Sequence, residues 1–223
     1  MFFRGFLIVV PLLIPSLVAM GEVSPPLVQR GGEQGGQETV SVQLGKGVVG
    51  VWDIRNGTLV KALIASSDGH ESLALGVSSP SWFIGRDDND KIGVGYAWRG
   101  YRVEQGQVVL LHELRLPTGE IRSLQERPES TVGVNGLLAI RSTFRSVGSD
   151  GTSSRIIKRI RTGTPGGITI PISTSGDLVP QGLNDNFMAD VVFRETGSTE
   201  ITISFNGNWV DQHKNVSEKE SGS

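Results

Sequence analysis

The chain has 223 residues, a formal net charge of −2, thirty glycines and no cysteine. Near-neutral charge gives no electrostatic case for nucleic acid or anionic membranes. The missing thiols exclude disulfide staples, cysteine nucleophiles and a lipid-modified cysteine anchor.

The first segment, MFFRGFLIVVPLLIPSLVAMG, carries Arg4 ahead of an apolar stretch from Phe6 to Ala19 and small residues around Ala19 and Gly21. This is the layout of a secretory signal peptide over residues 1–21. Pro11 and Pro15 interrupt the run, and it is shorter than the roughly 20 apolar residues that span a bilayer. The expectation is a cleaved signal, a secreted protein and no membrane association afterwards. Residues 22–37, rich in glycine and proline without apolar periodicity, read as a flexible linker. The polar tail over residues 213–223 reads as disordered. Residues 38–212 remain as one folded domain, large enough to be stable by packing alone.

That domain reads as successive strands. ETVSVQL alternates Val40, Val42 and Leu44 with polar residues. GVVGVWDI and TLVKALIA flank Arg55-Asn56-Gly57, a hairpin signal because Asn-Gly accepts positive φ. ESLALGV, WFIG and KIGVGYAW follow, with WFIG joined to KIGVGYAW through the acidic turn Arg86–Asp90. QVVLLHELRL and EIRSLQE flank Pro117-Thr118-Gly119. GVNGLLAIRSTFRSV and SRIIKRIRT flank a Gly-Ser-Asp-Gly turn, GGITIPI comes next, and ADVVFRE and TEITISFNGNWV flank Thr196-Gly197-Ser198. Only GDLVPQGLNDNFMAD leaves room for a helical turn. Short strands between glycine-rich turns predict an all-β, antiparallel β-sandwich of jelly-roll type.

Motifs for common chemistries fail on context. GKGVVG matches the dinucleotide-binding fingerprint by letter, but a strand follows where a helix must open, so no cofactor is implied. HELRL places Leu116 where a zinc protease needs its second histidine. VGVWDIRNGTLVKAL, Val49 to Leu63, resembles the last-strand hairpin of a WD-repeat blade, which would imply a propeller. Arg99 stands where the aspartate after Trp98 belongs and nothing past Gly100 repeats, so the segment reads as an ordinary hairpin. RIIKRIR puts Arg155, Arg159 and Arg161 on one strand face. Arg141 and Arg145 could extend it into an anion site for sulfated or uronic-acid glycans or phosphate, against the plainer reading of a solvated, ion-paired face. Asn56 and Asn215 head glycosylation sequons that matter in a eukaryotic host.

In KIGVGYAW the bulky residues Ile92, Val94, Tyr96 and Trp98 share one face, which predicts a core-facing strand. The candidate ligand-binding set is then Trp82, Arg86, Asp87, Asp88, Asp90 and Arg99, around the acidic turn. Calcium is disfavoured there because Ile92 occupies a position that needs an oxygen ligand, so no metal site is expected. The leading expectation is a secreted binding protein for glycans. A polysaccharide lyase or glycoside hydrolase, drawing on Tyr96, His112, Glu113 and Arg115, is the second. A structural extracellular protein without a small ligand is the third.

Overall fold

The computed structural model describes residues 28–33, 37–66, 69–77, 80–85, 90–133, 136–147, 155–163, 169–180 and 187–205. The predicted signal peptide and polar tail, with Asn215, lie outside these residues, as do Arg86, Asp87 and Asp88.

The first five strands are β1 (Val28–Glu33), β2 (Gln37–Gly45), β3 (Val48–Asp53), β4 (Thr58–Ser66) and β5 (Gly69–Ala74). Then come β6 (Trp82–Gly85), β7 (Ile92–Gly93), β8 (Gly95–Glu104), β9 (Gln107–Arg115), β10 (Ile121–Val132) and β11 (Leu138–Val147). The last are β12 (Arg155–Arg161), β13 (Ile172–Thr174), β14 (Asp177–Pro180), β15 (Met188–Val192) and β16 (Ser198–Ser204). They form three antiparallel sheets, ordered β1-β2-β3-β4-β5, β13-β16-β11-β10-β9-β8 and β14-β15-β12-β6-β7. The arrangement is consistent with a β-sandwich.

The expected hairpins at Arg55–Gly57 and Pro117–Gly119 form, with Gly57 at φ 63° and Gly119 at φ 85°. Other local expectations change. Val28–Glu33, read as linker, is an edge strand paired along β2. At the sheet edge it pairs on one side only and leaves its other backbone groups to water, so it is held by its ladder with β2 and needs no apolar alternation. KIGVGYAW is not one strand. Ile92 and Gly93 pair with β6, Val94 N–H donates to the Trp82 carbonyl at 3.1 Å, and the chain then crosses to the six-stranded sheet beside β9. Its bulky face splits accordingly: Ile92 is exposed, whereas Val94 and Tyr96 pack on the main core. β11 and β12 lie in different sheets, as do β15 and β16, so neither pair forms a hairpin. Asp177–Pro180, within the stretch left open to a helical turn, is an edge strand along β15 that ends at Pro180, a position where a missing donor is tolerated.

One core cluster draws on all three sheets. Val48 and Ala62 come from the first, Leu114, Ile140 and Phe144 from the six-stranded sheet, and Trp82, Ile156 and Val191 from the third. A second cluster closes the other end, where Val40, Val42 and Trp52 meet Val108 and Leu110.

Candidate functional site

The strand alternation that buries Ile156 and Ile160 also carries Lys158 inward, and its residue is 5% exposed. β9 and β10 face it from the six-stranded sheet. Their inward positions include His112 and Glu126, both buried. Tyr96 from β8 completes a chain: its hydroxyl meets His112 Nδ1 at 2.7 Å, and His112 Nε2 meets Glu126 Oε2 at 3.1 Å. The second carboxylate oxygen accepts from Ser142 Oγ at 2.6 Å and Trp52 Nε1 at 3.1 Å. One neutral histidine tautomer satisfies every partner: the tyrosine O–H donates to Nδ1 and Nε2–H donates to the carboxylate.

Burial is the largest influence on Glu126 and opposes its ionisation. His112, Lys158 and Ser142 together overcome it and hold the carboxyl below its usual range. Burial lowers Lys158 to about 8, partly offset by attraction to Glu126. Burial also pushes the Tyr96 phenol upward, reinforced by Glu126 and Asp53.

The third element of the site is the Arg55–Gly57 turn, whose carbonyls point inward. Asn56 O accepts from Trp82 Nε1 at 2.8 Å and Ser81 Oγ at 3.1 Å, and Gly57 O accepts from Lys158 Nζ at 2.9 Å. Lys158 Nζ also sits 3.7 Å from the centre of the Trp82 ring, a desolvated cation–π contact. Gly57 has to be glycine twice over: its φ is positive, and a Cβ would collide with the Tyr96 ring. The turn thereby caps Tyr96. A cavity of about 30 Å³ beside Lys158, Glu126 and Ser142 has room for a water but not for a sugar. The arrangement fastens three sheets and a turn together.

The titration of Lys158 yields a signed expectation. Its native pKa of about 8 lies below the ordinary 10.5. Between those values the unfolded chain holds the proton and the native chain does not, so raising the pH through that window stabilises the fold. Tyr96 acts oppositely: its raised native pKa means that stability falls once the pH passes 10, the ordinary phenol value. Urea denaturation should therefore show a gain of roughly 2 kcal/mol from pH 8 to pH 10. The gain should be absent in Lys158→Met. A wild-type profile flat over this range would contradict the burial of Lys158.

The residues nominated from sequence fall in different places. Trp82 is 1% exposed and stacks parallel to Tyr96, with ring centres 6.4 Å apart, so it has no face for a ligand. Asp90 is exposed. Arg99 lies on the opposite side of the six-stranded sheet from Tyr96 and His112, where Arg99 and Arg115 both donate to Glu113, at 2.7 and 3.0 Å. These two hydrogen bonds hold the Glu113 carboxyl below the usual range. Tyr96 and His112 thus face the core while Glu113 and Arg115 face outward, so the four do not converge. The half-buried Asn56 amide oxygen is engaged by Thr58 N and Oγ1, at 3.1 and 2.6 Å.

The arginines of the cationic strand β12 are engaged within the fold, Arg161 by the Gly76 and Gly163 carbonyls at 2.9 and 3.5 Å. Arg159 donates to the fully buried Asp190 at 2.9 and 3.2 Å, Lys91 joins the same carboxylate at 2.8 Å, and Arg155 pairs with Asp177 at 3.1 Å. Arg141 and Arg145 do not extend it, because they sit in the other large sheet. There the register assembles a different basic surface. On the outward face, Arg102 stands beside Val109, Arg127 beside Thr143, Thr143 beside Glu200, Arg145 beside Gln125 and Ser198, and Arg141 beside Glu129 and Thr202. With Arg99 and Arg115 that makes six arginines (Arg99, Arg102, Arg115, Arg127, Arg141, Arg145) against four glutamates (Glu104, Glu113, Glu129, Glu200). Arg102 and Arg127 share Glu104, as Arg99 and Arg115 share Glu113, and Arg141 pairs with Glu129. Arg145 is exposed and has no partner among the described residues.

Fold and site together define an all-β protein of three antiparallel sheets, fastened by a buried lysine–glutamate–histidine–tyrosine network and presenting an arginine-rich outer face. Neither a protein-family model nor a curated protein matches this sequence.

Proposed function

We propose that this is a secreted, jelly-roll-like β-sandwich that binds acidic glycans, those carrying uronic acids or sulfates, on the outer face of its six-stranded sheet. The observation that carries the reading is the surplus of guanidinium groups on that face: two of its glutamates are each shared by two arginines, and Arg145 stands free among the described residues. Guanidinium forks match carboxylate and sulfate geometry, and neighbouring strands space them about 4.8 Å apart. Binding is favoured over catalysis because Tyr96, His112, Glu113 and Arg115 are divided between the two sides of one sheet. A polysaccharide is favoured over nucleic acid because, among the described residues, Trp52, Trp82, Tyr96 and Trp98 pack into or against the core clusters and the exposed Tyr101 stands in register with the core-facing Leu110, so none of these rings lies on this face for base stacking. The export signal expected at the N-terminus places such ligands within reach.

Chromatography on immobilised polygalacturonate and on neutral dextran tests the reading. Retention by polygalacturonate that is released by salt, with none on dextran, is the expected result. Equal retention on both, or none on either, would refute it.

A further inference from the structure

We propose that the groove between β14 and the β15–β16 connection is a subsite for the terminal acidic sugar of such a glycan; this rests on the reading of the protein as an acidic-glycan binder. The groove encloses about 580 Å³, within the roughly 300–1,000 Å³ typical of small-ligand sites. Arg155, Asp177, Arg194 and Glu195 line it over a floor that includes Val192 and Phe193. Its walls come close because Gly176 has no side chain: a Cβ there would collide with the Val192 carbonyl.

Arg194 is the recognising group. Its backbone N–H donates to Thr199 Oγ1 at 3.0 Å and its Nε to the Ser175 carbonyl at 2.7 Å, which fixes the stem. The two terminal amino groups of its guanidinium have no partner among the described residues, and neither does the Glu195 carboxylate. A fixed cationic fork suits a sugar carboxylate or sulfate, and carboxylates beside it suit the hydroxyls. Phe193 is buried, so no ring is offered for stacking and recognition falls to charge and hydrogen bonds. The groove also adjoins the arginine face: Glu195 and Thr196 lie just before Ser198, which stands in register with Arg145. A chain lying on the face can drop its end into the groove.

Amide NMR titration of the full chain with digalacturonate, alongside galactobiose as the neutral control, tests this. Digalacturonate should shift the amides of Ser175–Asp177 and Arg194–Thr196, and galactobiose should not. Arg194→Gln should weaken digalacturonate binding about tenfold while leaving retention on the polymer nearly unchanged. Glu195→Gln, which removes no contact among the described residues, keeps an acceptor for the hydroxyls but removes a charge that repels the sugar carboxylate, so it should tighten digalacturonate binding; it serves if Arg194→Gln folds poorly. Absence of digalacturonate binding, shifts confined to the outer face, or unchanged affinity in both variants would overturn the subsite. Groove shifts without any retention on the polymer would support the subsite and overturn the outer-face reading instead.

Discussion

Glu126→Leu lowers stability by about 3–5 kcal/mol, the scale seen when one partner of a buried charged network is removed. Three donors lose their acceptor: His112 Nε2, Ser142 Oγ and Trp52 Nε1. Lys158 loses the one acidic neighbour that draws its pKa upward. Leucine fills the volume but returns none of these interactions. Glu126→Gln keeps an acceptor oxygen and should be milder. Adding Lys158→Met to Glu126→Leu should recover part of the loss, because the uncompensated buried amine is then gone. Urea denaturation checks all three. A Glu126→Leu variant within 0.5 kcal/mol of wild type, the range of an ordinary surface substitution, would show that the network does not hold the sheets together.

Trp82→Ala is expected to be comparably severe, at about 3–5 kcal/mol for deletion of a fully buried tryptophan. The ring packs edge-on against Phe144 and Phe193 and parallel to Tyr96, and Lys158 rests over it. Its Nε1 also holds the Asn56 carbonyl. The substitution therefore opens a void, removes the cation–π partner and loosens the turn that caps Tyr96. For a chain of this size the melting temperature should fall by roughly 10 °C. Trp82→Phe keeps most of the packing and should lose about 1–2 kcal/mol through the missing donor. A Trp82→Ala protein that melts like wild type yet loses glycan binding would return Trp82 to the ligand site and contradict the packing described here.

The strands were legible because period-two alternation is a local property, clear in ETVSVQL and QVVLLHELRL. Strand partners were less so. Glycine-rich turns announce a reversal, but the partner is decided by which faces bury together, and β12 finds both its neighbours, β6 and β15, far away in sequence. The core role of Tyr96 follows from its alternation with Val94, whereas Trp82 gave no such signal in a strand of four residues, WFIG. The buried lysine left a trace: in RIIKRIR, Lys158 occupies the same strand face as Ile156 and Ile160. The pairing of His112 with Glu126 left none, since their meeting depends on the β9–β10 register. The outer arginine face is equally a product of register, because its arginines are scattered singly over β8, β9, β10 and β11.

The most direct test of acidic-glycan binding is the salt dependence of polygalacturonate affinity, measured for wild type and for the triple variant Arg99→Gln, Arg115→Gln, Arg145→Gln. All three side chains are exposed on the proposed face; because Arg99 and Arg115 are the partners of the nearly buried Glu113, some loss of stability is expected, and the control is a cooperative melt above the assay temperature. The account predicts that wild-type affinity falls steeply as salt rises. The triple variant should bind at least about tenfold more weakly at low salt and show a shallower salt dependence. Wild-type affinity indifferent to salt, or a folded triple variant that binds as well as wild type, would contradict it.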